Sequence, residues 1–211
     1  MRLRITFAKT EAMQYTSHLD LHRAWERTLR RARLPLAYSQ GYHPHSRINL
    51  ASALPLGFTS SAEVVDVWLD EQIPVAAVES ALQKAAPPGI QLLKIKEIDD
   101  HTPTLQKVLQ AAEYVITFLE PASDLENRLQ DLLAAEEIQR ERRGKAYDLR
   151  PLVLELKRMP DDEQGHACAF TRLAAQEGAT GRPEEVVLEL GYHPEEIRVQ
   201  RTGLIFAEDG S

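Results

Sequence analysis

RLRITFAKTEAMQYTSHLDLHRAWERTLRRAR, residues 2–33, decides the fold because its apolar spacing changes period partway along. From Arg2 to Lys9 the apolar residues Leu3, Ile5 and Phe7 alternate with polar ones, the period of a half-buried strand. Ser17 then stands three residues before Asp20, a helix-capping arrangement, and Leu21, Trp25 and Leu29 recur every fourth residue until Leu34 and Pro35 stop the run near Arg33. A strand followed by an amphipathic helix is the first half of a β-α-β unit. Outward from there, Leu36 to Leu56 carries Gly41, Pro44 and Pro55, with aromatics and histidines crowded into Tyr38–His45, and reads as a loop leading to a short strand at Ile48–Leu54. Ser61–Asp70 is a branched, nearly continuous apolar strand. Pro74 opens a helix over Val75–Ala86, Gly89 ends it, and Ile90–Ile98 is strand-like.

The order strand, helix, strand, strand, helix, strand predicts a split β-α-β-β-α-β unit with an antiparallel sheet and both helices on one face. Glu97–Gln110 reads as a polar connection, after which the pattern starts again. Tyr114–Leu119 is a strand and Leu125–Leu133 a helix. Ile138–Arg143 and Leu149–Leu156 are expected to pair across Arg143 and Gly144. His166–Leu173 is a strand, Pro183–Leu190 a short helix and Ile197–Phe206 a last strand. The expectation is an α+β protein of two tandem ferredoxin-like halves with antiparallel sheets, residues 1–98 and 111–211, joined by a linker at 99–110.

Composition narrows the function classes. The chain has 211 residues, 43% hydrophobic and 27% charged, with a formal net charge of −7, which describes a globular protein able to bury one large or two small cores. No run approaches the length of a membrane span, and the alternating N-terminus is unlike a signal peptide, so a cytoplasmic location is expected. The single cysteine, Cys168, has no partner for an internal disulfide and reads as a small buried hydrophobe in a strand. None of the P-loop, dinucleotide-binding, serine-hydrolase or radical-cluster motifs occurs, so no cofactor is expected in this chain itself.

Charge is concentrated. Residues 1–60 hold nine Arg or Lys against Glu11, Asp20 and Glu26, a net +6 that leaves −13 for the rest. Arg23, Arg27, Arg30, Arg31 and Arg33 fall in one eleven-residue run, and the guanidinium fork suits phosphate. Between Arg140 and Arg158 a second run, including Arg142, Arg143, Lys145 and Arg150, reaches net +4. Two such runs in an acidic chain suggest an anionic ligand surface. Tyr42, His43 and His45 lie in the loop after the first helix and are candidates for stacking or polar contact with an unpaired base. Asp148 beside Lys145 and Arg150 suggests an ion pair ordering the hairpin.

His18 and His22 share a helical face, and with His43 and His45 they form the weak candidate set for a metal, although the first pair lacks the glutamate of H-E-x-x-H. One of the same imidazoles is the candidate for a metal-free ribonuclease, since a histidine shuttles protons near neutral pH.

The residues also resemble a family. MRLRITFAKT at the start, YTSHLDLHRAWERTLRRARLPLAYSQGYHPHSRINLASALPLG at 15–57, RRGKAYDLRP at Arg142–Pro151, GRPEEV at Gly181–Val186 and RTGL at Arg201–Leu204 are similar to the uncharacterised bacterial radical-SAM-linked proteins. The resemblance implies a radical-SAM protein as partner, with the iron-sulfur cluster and S-adenosylmethionine in that partner only. The layout is also similar to the CRISPR repeat-processing endoribonucleases, an analogy of fold. Three functions follow as expectations. The first is a non-catalytic accessory domain presenting a substrate, RNA rather than DNA, to the radical-SAM enzyme. It uses Arg23, Arg27, Arg30 and Arg31 with Tyr42, His43 and His45, and then Arg142, Arg143, Lys145 and Arg150. The second is a docking module for that partner without nucleic acid, and the third a free-standing metal-dependent enzyme or metal-free endoribonuclease.

Overall fold

The computed structural model describes residues 1–142 and 144–207, which fall into two compact units, one ending at Val108 and the other starting at Leu109. In the first unit β1 (Arg2–Lys9) leads through a 3-10 turn at Glu11–Met13 to α1 (His18–Arg31). Then come β2 (Ile48–Leu50), β3 (Thr59–Trp68), α2 (Val75–Ala85), β4 (Ile90–Ile98) and the single turn α3 (Leu105–Val108). The strands lie in the order β2, β3, β1, β4, each antiparallel to its neighbour.

Period two along β1 and β3 turns Leu3, Ile5, Phe7, Val65 and Val67 to one face, where they form a core with Leu21, Trp25 and Leu29 of α1 and Val78 and Leu82 of α2. Both helices therefore cover the same face. Trp25 is fully buried, and its ring meets Phe7 edge-on with centroids 4.9 Å apart. Ser17 caps α1 as its spacing predicts, its hydroxyl accepting from the Asp20 N–H at 3.2 Å.

Several boundaries differ from the sequence reading, among them the strands Thr59–Trp68, Leu109–Phe118 and Cys168–Gln176, and two have a local cause. α1 stops at Arg31 instead of Arg33 because Arg33 turns left-handed, with φ 57°. The Leu34 N–H bonds to the Leu29 carbonyl and the Arg33 N–H to the Arg30 carbonyl, the closing pair of a Schellman motif in a position that glycine ordinarily fills. β2 spans Ile48–Leu50 only, and its last ladder bond is Ala51 N–H to the Val64 carbonyl, before the chain bends toward Pro55.

The opposite face of this sheet is polar. Asp66 is fully buried, at 2.6 Å from Arg2 Nη2 and 2.8 Å from Arg4 Nε. Trp68 lies between the guanidinium groups of Arg2 and Arg47, 4.6 and 4.7 Å from its ring. The stretch that composition reads as a linker folds back here: Arg2 donates to the carbonyls of Asp100, Thr102 and Pro103, and Leu105 is fully buried.

The second unit comprises β5 (Leu109–Phe118), α4 (Leu125–Ala134), β6 (Gln139–Arg142), β7 (Lys145–Asp148) and β8 (Val153–Met159). It continues with β9 (Cys168–Gln176), β10 (Ala179–Thr180), α5 (Pro183–Glu189) and β11 (Ile197–Phe206). Its sheet runs β8, β9, β5, β11, again antiparallel throughout, with β10 on the far end of β9. Leu125, Leu129 and Leu132 of α4 and Val186 and Val187 of α5 are buried, as are Ile116 and Phe118 of β5 and Leu173 of β9. Each unit is thus α+β with an antiparallel sheet.

The expected pairing of Ile138–Arg143 with Leu149–Leu156 does not form. β6 pairs with β7 in a separate hairpin, Gln139 opposite Asp148 and Arg142 opposite Lys145, while β8 joins β9. Asp148 makes the difference. Its Oδ1 accepts from the N–H of Ile138 at 2.8 Å and of Arg150 at 2.9 Å, closing the hairpin, and Pro151 in the following 3-10 turn ends the strand pairing. Backbone bonds, rather than the ion pair expected with Lys145 or Arg150, order this turn.

Candidate functional site

Helix geometry sets the first basic surface. At 100° per residue, Arg23, Arg27 and Arg30 fall within an arc of about 60° on α1, opposite the buried stripe of Leu21, Trp25 and Leu29. All three are exposed. Arg23 lies 3.2 Å from Asp20 and Arg30 lies 2.8 Å from Glu26, whereas Arg27 has no acidic partner within 4 Å among the described residues. The carboxyl of Asp20 is held below its ordinary range by the Ser17 hydroxyl and, behind that, by Arg23. Arg31 is exposed at the edge of this face, but its Nη1 donates to the Ala85 carbonyl at 3.0 Å and ties α1 to the end of α2.

The loop after α1 is a built feature. Tyr38 and Ser46 form an isolated bridge, Ser39 N–H donates to the His45 carbonyl at 2.8 Å, and His45 N–H donates to Ser39 Oγ at 3.0 Å. These bonds close the foot and lift Gln40–Pro44 into solvent, with Gly41 at φ 132°, where a side chain would be strained. Tyr42 at the tip is completely exposed, and His43 and His45 are exposed beside it. The loop foot reaches α1, since Arg30 Nη2 donates to Tyr38 Oη at 3.2 Å. That bond, with Glu26 beside it, raises the Arg30 pKa above its ordinary value. The structure therefore joins the arginine face to the Tyr42 loop through Tyr38, a residue the sequence reading did not single out.

Of the four histidines considered together, His18 and His22 are half-buried on α1, and His22 Nε2 lies 3.4 Å from the Ile48 carbonyl oxygen. His43 and His45 belong to the loop. Among the described residues no group of three His, Cys, Asp or Glu side chains converges on a point where a metal would be held. Cys168 is buried, its sulfur 3.6 Å from Thr117 Oγ1.

In the second basic run the side chains part company. Arg142 makes a forked contact with Glu185, Nη2 lying 2.8 Å from both carboxylate oxygens, and covers the Tyr147 ring at 5.0 Å. Burial alone would lower its pKa, but the Glu185 bonds outweigh this and raise it. Arg150 is spent on backbone, donating to the Leu133 carbonyl at 3.0 Å and the Val153 carbonyl at 3.1 Å. Lys145 is exposed with no acidic partner within 4 Å among the described residues. Arg143 lies outside the described residues. Arg182, which the sequence reading passed over as part of a motif, is exposed near this hairpin and is the further cation there.

Among the described residues no helix is long and apolar enough to cross a membrane. No curated protein matches the chain. Among solved structures, a chain from the crystal structure of a Cbf5–Nop10–Gar1 complex is similar in fold, with 14% sequence identity and a TM-score of 0.52. The match covers 98% of this chain and 50% of that one, so the protein spans about half the length of that neighbour. Residues 2–183 match the family described as "Uncharacterized protein conserved in bacteria (DUF2344)", and the chain belongs to that family.

Proposed function

We propose that the protein is a non-catalytic accessory domain that binds RNA on its first unit and presents it to a radical-SAM enzyme. The observation that supports this reading most is the exposed face of Arg23, Arg27 and Arg30 bonded through Tyr38 to a loop whose tip, Tyr42, stands wholly in solvent. Guanidinium groups along a helix suit successive phosphates, and a projecting aromatic offers a stacking platform for an unpaired base. The strand order of each unit is consistent with two ferredoxin-like halves, the finer form of the α+β fold. The partner is what the resemblance carried by residues 15–57 and 142–151 implies, and on this proposal the iron-sulfur cluster and S-adenosylmethionine belong to that partner.

The test is to recover the tagged protein from its own cells at low salt and identify the co-eluting proteins and RNA, with and without ribonuclease. A radical-SAM protein together with one enriched RNA class supports the proposal and names the substrate. A radical-SAM partner without RNA would replace presentation by simple docking, and the absence of both would remove the accessory role.

A further inference from the structure

Two segments singled out for their sequence, Arg142–Pro151 and Gly181–Val186, meet in the second unit. Arg142 and Tyr147 come from the hairpin of β6 and β7, and Glu185 from the first turn of α5. Between them lies a groove of about 780 Å³, walled by Arg142, Lys145, Tyr147, Leu152, Thr180 and Arg182. That volume is in the range of about 300–1,000 Å³ that encloses a small molecule.

Its charge is one-sided. Arg142 is matched by Glu185, and Asp148, which also lines the groove, already accepts two backbone N–H groups. Lys145 and Arg182, on opposite segments, have no acidic partner within 4 Å among the described residues. Glu184, the next residue but one after Arg182, is half-buried, burial raises its carboxyl pKa, and it does not line the groove. The remaining wall is apolar, from Pro151, Leu152 and Ala179. An acidic peptide would use the two cations and leave that wall unfilled. A nucleotide uses both.

We infer that this groove is a second site, holding one unpaired nucleotide of a single-stranded RNA with its base against the Tyr147 and Leu152 wall and its phosphate between Lys145 and Arg182. The inference rests on the RNA reading above but uses a different unit and different residues, so the failure of one can be told from the failure of the other.

The experiment titrates the full ¹⁵N-labelled chain with AMP, with adenosine and inorganic phosphate as controls, and measures binding of a twelve-nucleotide single-stranded RNA in parallel. AMP is expected to shift the amides of Ala146, Ala179 and Thr180 saturably and to bind about tenfold more tightly than phosphate, the scale of one base stacked on an aromatic wall. Lys145→Glu with Arg182→Glu should abolish those shifts and weaken the oligonucleotide, and the milder Lys145→Ala should reduce both while leaving the remaining spectrum unchanged. Absence of localised shifts, or equal affinity for AMP and phosphate, overturns the inference. Full oligonucleotide affinity in the double variant also overturns it and leaves the α1 reading intact. AMP bound without any affinity for the oligonucleotide would overturn the RNA reading and, with it, the assignment of the nucleotide to a strand.

Discussion

Replacing Arg23, Arg27 and Arg30 together by alanine should flatten the salt dependence of RNA binding. Each phosphate neutralised on a single strand contributes about 0.7 to the slope of log affinity against log salt, so a fourfold rise, from 50 to 200 mM, weakens one contact about 2.6-fold and three about 18-fold. The geometry orders the three. Arg27 carries no acidic partner within 4 Å among the described residues, so Arg27→Ala alone should remove close to a full contact. Arg30 must first loosen its 2.8 Å pair with Glu26, and Glu26→Gln should therefore strengthen binding. The side chains are exposed and their ion pairs lie on the surface, so stability should change by no more than about 0.5 kcal/mol, and a lost fold would not explain lost affinity. Fluorescence anisotropy with a labelled single-stranded RNA across that salt range reads the slope, with circular dichroism as the check on folding. A triple variant that keeps the wild-type slope would refute the assignment of phosphates to this face.

Asp66→Asn should cost about 3–5 kcal/mol in urea unfolding, because it leaves Arg2 buried and both Arg2 and Arg4 without their shared carboxylate; a loss under 1 kcal/mol would show that water replaces Asp66 there. Arg33→Gly should stabilise by about 0.5–1 kcal/mol, since it relieves a left-handed φ of 57° at the end of α1, and an unchanged midpoint would contradict the strain. Glu184 has its pKa raised by burial, so its contribution to stability is present below the ordinary glutamate range and is lost as pH rises through the folded value. Glu184→Gln should accordingly raise the melting temperature relative to wild type at pH 7 and lose that advantage at low pH; a difference independent of pH would rule out the carboxyl as its source.

How much of this was legible in the chain varies with the range of the interactions. The alternation of Leu3, Ile5 and Phe7, the four-residue spacing of Leu21, Trp25 and Leu29 and the Ser17 cap are local, and they determined β1, α1 and the arginine face between them. The same local rules misjudged β6 to β8, because Asp148 closes that turn with bonds to backbone at Ile138 and Arg150 that no periodicity announces. Arg142 and Arg150 were equal members of a basic run in sequence. Only the tertiary structure gave Arg142 to Glu185, forty-three residues away, and Arg150 to the carbonyl oxygens of Leu133 and Val153. It likewise brought Arg182 to Lys145 and Tyr38 to Arg30. Hydrophobic periodicity is written residue by residue and survives in the sequence, whereas the pairing of a charge depends on which distant group the fold carries within hydrogen-bond reach.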